Sequence, residues 1–351
     1  MKFYVETIGC QYNEYDASRL AIFLKSNGLT QVDNPKNADA IFILACSVRQ
    51  TAVDRIFGRV RNWQKENKKI FITACVTDED KKKLAKKGVV YFSDFDHLKS
   101  LLALQKTNND TLSKSDTNFV PIMSGCNNFC SYCVVPYLRG REKSRPMEEI
   151  IEEVKELIRS GKKEIVLLGQ NVNSYKINQN KKVILKVRRN EKYKSDFAIL
   201  LEKLNKIPGD FKISFTSNHP KDMTEDIIEA VATLPKVKKE IHLPLQSGSD
   251  KILKAMNRPY TSEQYLKLIE NCKSKIKNLV LTTDIIVGFP GETEEDFQKT
   301  IEVCKKANFN LAYINKYSPR KGTAAYKLGD PIPWKEKKRR WSILDKMINK
   351  K

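Results

Sequence analysis

Short apolar runs alternate with segments of helical periodicity along this chain, and no other feature constrains its fold as strongly. Near the start, runs rich in Ile, Val and Phe predict strands at residues 2–8, 38–45, 69–74 and 89–92. Residues 14–26 and 51–66 carry apolar side chains three and four positions apart, as helices do. This βαβα order predicts a parallel sheet covered by helices, so we expect a flavodoxin-like or Rossmann-like α/β domain over residues 1–104.

The alternation resumes after residues 105–117, a polar segment that predicts a linker. Six more strands are predicted at residues 118–123, 164–168, 211–216, 240–245, 278–287 and 310–317, and a helical pattern follows each of the first five. This order predicts a partial (β/α)6 barrel over residues 118–333, shorter than the closed eight-stranded form. An open doubly wound sheet is the alternative, and periodicity does not separate the two.

Two basic segments stand apart from this alternation. Residues 175–195 form an insertion that predicts an exposed hairpin or loop, which either touches RNA or is simply solvated. Residues 334–351 predict a basic C-terminal helix. The formal net charge of +22 favours a polyanionic partner, nucleic acid first, although compositional drift of a whole genome also enriches lysine.

The sequence shows no signal-peptide pattern and no apolar stretch of the roughly 20 residues that a membrane span requires. We therefore expect a cytoplasmic protein with no membrane partner. We also expect a monomer. In that reducing compartment, the eight cysteines of the chain are better interpreted as metal ligands or reactive thiols than as structural disulfides.

Three of these cysteines, Cys126, Cys130 and Cys133, share one short segment with the spacing CxxxCxxC. Thiolates this close on one loop can wrap one corner of a metal centre. A zinc site would require a fourth ligand, and the three histidines of the chain lie elsewhere in the sequence. Three ligands suit a four-iron cluster that leaves one iron open for a substrate or cosubstrate.

Three other cysteines, Cys10, Cys46 and Cys75, are far apart in the sequence, yet each falls just past a predicted strand. The carboxyl ends of parallel strands share one edge of a sheet, where ligands bind, so these thiols should converge on a second three-cysteine cluster. Three unrelated core cysteines are the alternative. Cys272 and Cys304 continue the apolar faces of predicted helices and are interpreted as structural.

Motifs around these cysteines resemble those of the methylthiotransferase branch of the radical S-adenosylmethionine superfamily. The resemblance covers nearly the whole chain through ETIGCQYNEYDASR, LACSVRQTA, ITACVT, SGCNNFCSYCVVPYLRGREKSRP, LLGQNVNSY, FTSNHPKD, HLPLQSGSD, MNRPYT and TTDIIVGFPGETEEDF. Within the branch, the segments after the cysteines look most like enzymes that act on N6-isopentenyladenosine next to the anticodon of transfer RNA. Such enzymes usually carry a C-terminal RNA-binding TRAM domain, and this chain stops where that domain begins in them.

The resemblance implies two [4Fe–4S] clusters with different tasks. The cluster on Cys126, Cys130 and Cys133 would bind S-adenosylmethionine at its open iron, and one electron would cleave the cosubstrate to a 5′-deoxyadenosyl radical. The cluster on the other three cysteines would supply the sulfur that is methylated and delivered to C2 of the adenine. An electron donor, a sulfur donor and the anticodon stem-loop of tRNA are the partners that this chemistry implies.

Other residues are candidates for contacts with the cosubstrate. Tyr132 is placed to pack on the adenine or, equally, on its own loop. Polar residues at predicted strand ends either bind the cosubstrate or cap the strands: Gln170, Asn171, Ser217, Asn218, Gln246, Ser247, Asp284, Tyr317 and Arg320. Arg139, Arg141 and Arg145 are candidates for holding the carboxylate or RNA phosphates. Gly288 and Gly291 allow close approach of a nucleoside or form a turn, and His219 and His242 could move protons or be structural.

Two rival functions are compatible with the sequence. The same chemistry could act on N6-threonylcarbamoyladenosine in tRNA or on an aspartate of ribosomal protein S12. A different class of protein, a non-catalytic RNA-binding module with iron–sulfur or zinc sites, is the second rival.

Overall fold

The structure, a computed structural model, describes residues 1–104, 116–177 and 195–350 of the chain. The chain divides into two compact units, Met1–Phe119 and Val120–Lys351. Most of the predicted linker and most of the predicted basic insertion lie outside the described residues.

The described residues of the first unit form one five-stranded sheet in which all neighbouring strands are parallel. Its strands are β1 (Lys2–Thr7), β2 (Thr30–Gln31), β3 (Ala40–Cys46), β4 (Lys69–Cys75) and β5 (Val90–Tyr91), in the order β2-β1-β3-β4-β5. This is the strand order of flavodoxin-like folds, and it confirms the predicted class of the unit. The sequence analysis missed β2, because its two exposed polar residues carry no apolar signal.

Four helices cover this sheet: α1 (Gln11–Ser26), α2 (Gln50–Lys65), α3 (Asp78–Ala85) and α4 (Phe95–Leu102). Successive residues of a strand point to opposite faces, so neighbours in β3 enter different cores. Phe42 packs in the core formed with α1 and α4, whereas Ile41 and Ile43 pack in the core formed with α2 and α3. Both faces are therefore apolar, which explains the unbroken hydrophobic run of this strand.

Eight strands are described from the unit boundary onwards, and the first of them begins one residue before the second unit. They are β6 (Phe119–Pro121), β7 (Met123–Ser124), β8 (Lys143–Ser144), β9 (Glu164–Leu168), β10 (Lys212–Phe215), β11 (Glu240–His242), β12 (Val280–Val287) and β13 (Leu311–Lys316). Two of them, β7 and β8, form a small antiparallel pair beside the barrel that the sequence analysis did not predict.

The other six strands follow one another in space as they do in the sequence. One sheet has the order β10-β9-β6 and the other β11-β12-β13. A parallel bridge between Ile213 of β10 and Val237, just before β11, continues the order from one sheet to the next. A doubly wound sheet would reverse its strand order, whereas sequential neighbours are typical of a barrel. The predicted partial barrel is therefore confirmed.

The described part of the second unit has the helices α5 (Val135–Leu138), α6 (Met147–Arg159), α7 (Asp196–Asn205), α8 (Glu225–Thr233), α9 (Asp250–Ala255), α10 (Ser262–Lys275), α11 (Glu294–Ala307) and α12 (Trp334–Ile348). The last of them, α12, is part of the unit. Trp341 donates a hydrogen bond from Nε1 to the Ile314 carbonyl at 2.9 Å, and Leu344 and Ile348 are buried in the core. None of the described helices is long and apolar enough to cross a membrane.

Candidate metal centres

Three cysteines of the second unit, Cys126, Cys130 and Cys133, lie together on the loop that joins β7 to α5. All three are half-buried. The Cys126 N–H donates to the Gly140 carbonyl at 3.1 Å, and the Cys133 N–H donates to the Cys130 carbonyl at 2.9 Å. The loop begins at Gly125, which has a φ of +77°. The Arg141 carbonyl lies so close to this glycine that a side chain would not fit.

The local environment disfavours the thiolate form of two of these cysteines. Burial raises the pKa of Cys126 and raises the pKa of Cys133 to about 12, and in both cases the neighbouring Cys130 adds to the effect. Mutual repulsion of this kind arises only between groups that are close in space. A bound metal supplies the positive charge that such thiols require to ionise.

One buried cation contacts this loop. Arg258 is 6% exposed, and its Nη1 lies 3.5 Å from the sulfur of Cys130. Its Nη2 donates to the Pro244 carbonyl at 2.8 Å, and its Nε donates to the Tyr260 hydroxyl at 2.8 Å. These bonds fix the guanidinium beside the sulfur. This arginine lies in the motif MNRPYT, and nothing in that motif alone predicts its contact with Cys130.

The middle of the cysteine loop is held by neighbouring segments. The Ser131 hydroxyl donates to the Ala255 carbonyl at 2.8 Å, and the Ala325 N–H donates to the Ser131 carbonyl at 2.7 Å. Tyr132 packs against a small apolar cluster that includes Phe289, and burial raises the pKa of its hydroxyl. The ring of Tyr132 therefore packs against the protein itself, and its contact with an adenine stays a prediction.

Polar residues collect where the barrel strands end, and several of their buried atoms have no hydrogen-bond partner among the described residues. These atoms are Gln170 Oε1, Asn171 Oδ1, Asn218 Oδ1, His219 Nε2 and Gln246 Oε1. Buried polar atoms are usually hydrogen-bonded, so the four amide oxygens, which accept, indicate a ligand that carries N–H or O–H groups. The His219 Nδ1 accepts from the Lys221 N–H at 3.2 Å, so Nε2 of the neutral ring carries the proton and suits an acceptor on the ligand. The same segments hold two non-glycine residues at positive φ, Ser217 at +65° and Gln246 at +69°, a kind of backbone strain that is common at functional sites.

Hydrogen bonds join several of these strand ends. Asn171 donates to Asp222 at 2.7 Å, and Asn218 donates to the His242 carbonyl at 2.9 Å. The His242 ring lies 3.1 Å from the Asp284 carboxylate through Nε2. Asp284 lies within β12 rather than at its end, in contrast to the prediction.

The three predicted arginines have different surroundings. Arg145 is bound to the buried carboxylate of Glu153 at 2.7 Å, a structural contact. Arg141 is exposed, and its guanidinium lies 4.3 Å from the centre of the Phe129 ring. Arg139 is half-buried at the C-terminal end of α5.

In the first unit, the second cysteine set gathers at the carboxyl edge of the sheet. Cys46 and Cys75 are the last residues of β3 and β4, not the first residues past them as predicted, and they are direct partners in the parallel register. Cys10 is the N-cap residue of α1. A Cβ built on the preceding residue, Gly9, would lie 3.1 Å from the Cβ of Cys46, which places the Cys10 turn against the end of β3.

The electrostatics of this set agree with that proximity. Burial raises the pKa of Cys46, and the nearby Cys10 contributes in the same direction. The helices α1, α2 and α3 all begin at this edge, shortly after Cys10, Cys46 and Cys75 respectively. Helix N-termini favour negative charge, as a thiolate-bound cluster would carry.

The remaining two cysteines are in the apolar core. Cys272 lies on α10 and Cys304 on α11, and burial raises the pKa of each to about 12. Across the described residues, no group of three or more His, Cys, Asp or Glu side chains converges tightly enough for a single metal ion. A four-iron cluster holds its thiolates further apart than one ion does, so this result concerns mononuclear sites.

Comparison with known proteins decides the family. Residues 120–304 match the model of the Radical SAM superfamily, and residues 2–93 match the model of the Uncharacterized protein family UPF0004. A tRNA-2-methylthio-N(6)-dimethylallyladenosine synthase of Thermotoga petrophila is 39% identical over 379 residues, an alignment that covers 100% of this chain and 83% of the relative. The chain belongs to the radical S-adenosylmethionine methylthiotransferase family.

Other methylthiotransferases of this family are similarly close. The synthase of the same name from Clostridium tetani is 39% identical over 99% of this chain and 81% of its own length. The one from Carboxydothermus hydrogenoformans is 38% identical over 99% of this chain and 83% of its own length.

Solved structures share the fold at low identity. The radical S-adenosylmethionine methyltransferase TsrM from Kitasatospora setae superposes with a TM-score of 0.58 at 10% identity, over 90% of this chain and 72% of that one. The cobalamin-dependent S-adenosylmethionine radical enzyme OxsB gives a TM-score of 0.56 at 10% identity, over 100% of this chain and 55% of that one. At this identity the likeness concerns the fold alone.

Membership in this methylthiotransferase family implies S-adenosylmethionine and a [4Fe–4S] cluster as cofactors. The residues of the second unit fit both. Three thiols on one loop would leave one iron of a four-iron cluster free, and the unpartnered amide oxygens at the strand ends suit the amino and hydroxyl groups of S-adenosylmethionine.

Proposed function

We propose that this chain is a methylthiotransferase that places sulfur and a methyl group on C2 of N6-isopentenyladenosine in tRNA. The N6-dimethylallyladenosine named in its relatives is the same nucleoside. The observation that carries the proposal is 39% identity to such a synthase along the whole chain, together with two separate cysteine sets.

Within this proposal, Cys126, Cys130 and Cys133 hold the cluster that binds S-adenosylmethionine. When bound, that cluster supplies the electron that cleaves the sulfonium of the cosubstrate. The contribution of the chain is to hold the reactants in place and away from water. Arg258 keeps a positive charge next to Cys130, and the buried contacts of Ser131 hold the loop in one conformation.

The cosubstrate lies along the strand ends of the barrel. Gln246 and Asn171 are the first candidates for its polar groups, since both have buried oxygens without partners among the described residues. Further contacts are proposed for Tyr132, Gln170, Ser217, Asp284 and Arg139. A carbonyl oxygen that already faces the site requires no rearrangement when a donor arrives.

Cys10, Cys46 and Cys75 hold a second [4Fe–4S] cluster on the sulfur side of the reaction. Support comes from the strand register that pairs Cys46 with Cys75 and from the Cys10 turn packed beside them. Two centres would divide the work: Cys126, Cys130 and Cys133 would hold the cluster that binds the cosubstrate, and the second set would hold the cluster that supplies the sulfur.

The nucleic acid partner is the anticodon stem-loop of tRNA. A formal net charge of +22 favours binding to phosphates, and bases in a single-stranded loop can be unstacked and reached at little cost. We further propose that the chain acts as a monomer, with an electron donor and a sulfur donor as its other partners.

The decisive experiment is mass spectrometry of tRNA nucleosides from cells with and without the gene. Deletion should abolish 2-methylthio-N6-isopentenyladenosine and accumulate its unmodified precursor, and the wild-type gene should restore it where a Cys130→Ala copy does not. Unchanged levels would refute the proposal. Loss of 2-methylthio-N6-threonylcarbamoyladenosine alone, or a mass change in ribosomal protein S12 alone, would assign the chain to one of those substrates.

A further inference from the structure

Asn13 is an amide side chain buried completely inside the first turn of α1. Its exposure is 0%, and burial of an amide is unfavourable unless its hydrogen bonds are made. The Asn13 Nδ2 donates to the carbonyl of Ala45 at 2.9 Å. Ala45 immediately precedes Cys46 in β3, so this bond ties the start of the helix to the end of that strand.

The same side chain also contacts the Cys10 turn. Its Oδ1 lies 4.0 Å from the sulfur of Cys10, and the Asn13 N–H donates to the Cys10 carbonyl at 2.8 Å. A Cβ on Gly9 would lie 2.3 Å from Asn13 Nδ2, so the turn closes onto the amide without space for a side chain. Asn13 therefore touches both Cys10 and the segment that carries Cys46.

The three cysteines of this set differ in what holds them. Cys46 and Cys75 are partners in the β3–β4 ladder, and the Ser47 N–H bonded to the Cys75 carbonyl at 2.7 Å extends that pairing. Their separation is set by the sheet. Cys10 is outside any strand and exposed, so its position relative to the other two depends on the contacts of the turn.

We infer that Asn13 is a positioning residue for the second cluster: its amide fixes Cys10 next to Cys46 so that three thiols can bind one cubane together. This inference rests on the second cluster of the proposed function. The amide is suited to the task because it is a neutral donor. Leucine has the same branched arrangement of four heavy atoms but leaves the buried Ala45 carbonyl without its donor, and an ionised aspartate cannot donate at all.

The test compares anaerobically prepared wild-type protein with Asn13→Leu and with a matched control, Asn27→Leu. Asn27 lies at the other end of α1 and donates to the Phe23 carbonyl at 2.8 Å, far along the helix from the cysteines. Iron, sulfide and Mössbauer spectra are measured on each protein, together with reductive cleavage of S-adenosylmethionine. We expect iron and sulfide per chain to fall by about half in Asn13→Leu only, since one of two four-iron clusters is lost.

Cleavage of S-adenosylmethionine should persist in Asn13→Leu, because the first cysteine set lies in the other unit. An Asn13→Leu protein with the iron content and spectrum of the wild type would overturn the inference alone. Wild-type protein with iron for a single cluster would instead overturn the second cluster of the proposed function, and the inference with it.

If Asn13→Leu does not accumulate as folded protein, Asn13→Asp decides the question. This variant preserves the size and shape of the side chain but not the donated hydrogen bond. Loss of the second cluster, with cosubstrate cleavage and far-UV circular dichroism unchanged, would support the inference. Full occupancy of both clusters in Asn13→Asp would contradict it.

Discussion

The guanidinium of Arg258 lies 3.5 Å from the sulfur of Cys130, and the arginine is only 6% exposed. If Cys130 binds the proposed cluster, a buried cation at this distance should act on the electronic properties of the cluster as well as on the conformation of the loop. A reduced cluster carries one more negative charge than an oxidised one, so a neighbouring cation stabilises the reduced form.

Arg258→Leu is therefore expected to lower the reduction potential of the first cluster. Loss of one buried positive charge near the cluster should shift the potential by on the order of 50–100 mV towards more negative values. Reductive cleavage of S-adenosylmethionine should slow accordingly. A redox titration followed by electron paramagnetic resonance measures the shift, with the exposed Arg141→Leu as a control. Equal potentials in both variants and the wild type would show that Arg258 has only a structural role.

The two cysteine sets should fail in different ways. Cys130→Ala is expected to abolish formation of 5′-deoxyadenosine, because the first cluster loses a ligand. Cys10→Ala should leave that reaction intact and stop insertion of sulfur into tRNA. Product analysis by mass spectrometry gives both readouts on one sample. If Cys10→Ala formed methylthiolated nucleoside at the wild-type rate, the role assigned to the second set would be wrong.

Gly125→Ala should disrupt the first cysteine loop. The residue has a φ of +77°, and an added Cβ would lie 2.2 Å from the Arg141 carbonyl, a backbone atom that cannot give way cheaply. Gly161 has a φ of +89° with nothing within 4 Å, so Gly161→Ala carries the conformational strain without the clash. We expect Gly161→Ala to cost about 1–2 kcal/mol of stability and to keep full iron content. Gly125→Ala should lose the first cluster, as iron analysis and cosubstrate cleavage will show.

The last helix of the described chain contains adjacent arginines with very different surroundings. Arg340 is 5% exposed and lies 2.7 Å from the buried carboxylate of Glu292, whereas the Arg339 side chain is 44% exposed. Removal of one partner of a buried pair leaves an uncompensated charge, so Arg340→Met should lower the free energy of unfolding by about 3–5 kcal/mol. Arg339→Met should cost less than about 1 kcal/mol. Urea unfolding of the two variants tests this contrast, and similar midpoints would contradict it.

Acid should weaken the second unit through one histidine. Burial, with Arg258 and Lys221 nearby, lowers the pKa of His219 from 6.5 to about 2. Between these values only the unfolded chain binds the proton, so this contribution to stability is complete above pH 6.5 and decreases as the pH falls towards 2.

At pH 5 the loss from His219 should be about 2 kcal/mol relative to pH 7. His219→Gln should remove this part of the pH dependence, and His97→Gln, at an exposed position, should not. Urea unfolding at the two pH values measures the difference. An identical pH dependence for wild type and His219→Gln would indicate that the histidine titrates normally in the folded protein.

Much of this molecule could be predicted from local patterns. The buried parallel strands are continuous apolar runs, and Glu164–Leu168 matches its predicted bounds. Elements with little apolar content escaped the analysis: α3 buries Leu84 alone, and β2 is two exposed polar residues. Periodicity detects an element by the face that it buries, so weakly buried elements give little signal.

The residues of the site also differ in whether a local pattern predicts them. The cysteines are recognisable because a thiolate set has a distinctive residue type and spacing, whereas Arg258 and Asn13 are ordinary residue types whose importance depends on what they contact. Arg258 is separated from Cys130 by 128 positions, and Asn13 from Ala45 by 32. No local pattern encodes such pairs.

The sequence by itself determined the alternation of strands and helices, the two cysteine sets and the family to which they point. Only the tertiary structure decided that the six barrel strands of the second unit neighbour one another in sequence order and that Cys46 faces Cys75 in register. It also decided that a buried guanidinium lies beside Cys130. The reason is physical: propensity and periodicity act over a few residues, whereas strand neighbours and buried charge contacts are settled when distant segments exclude water together.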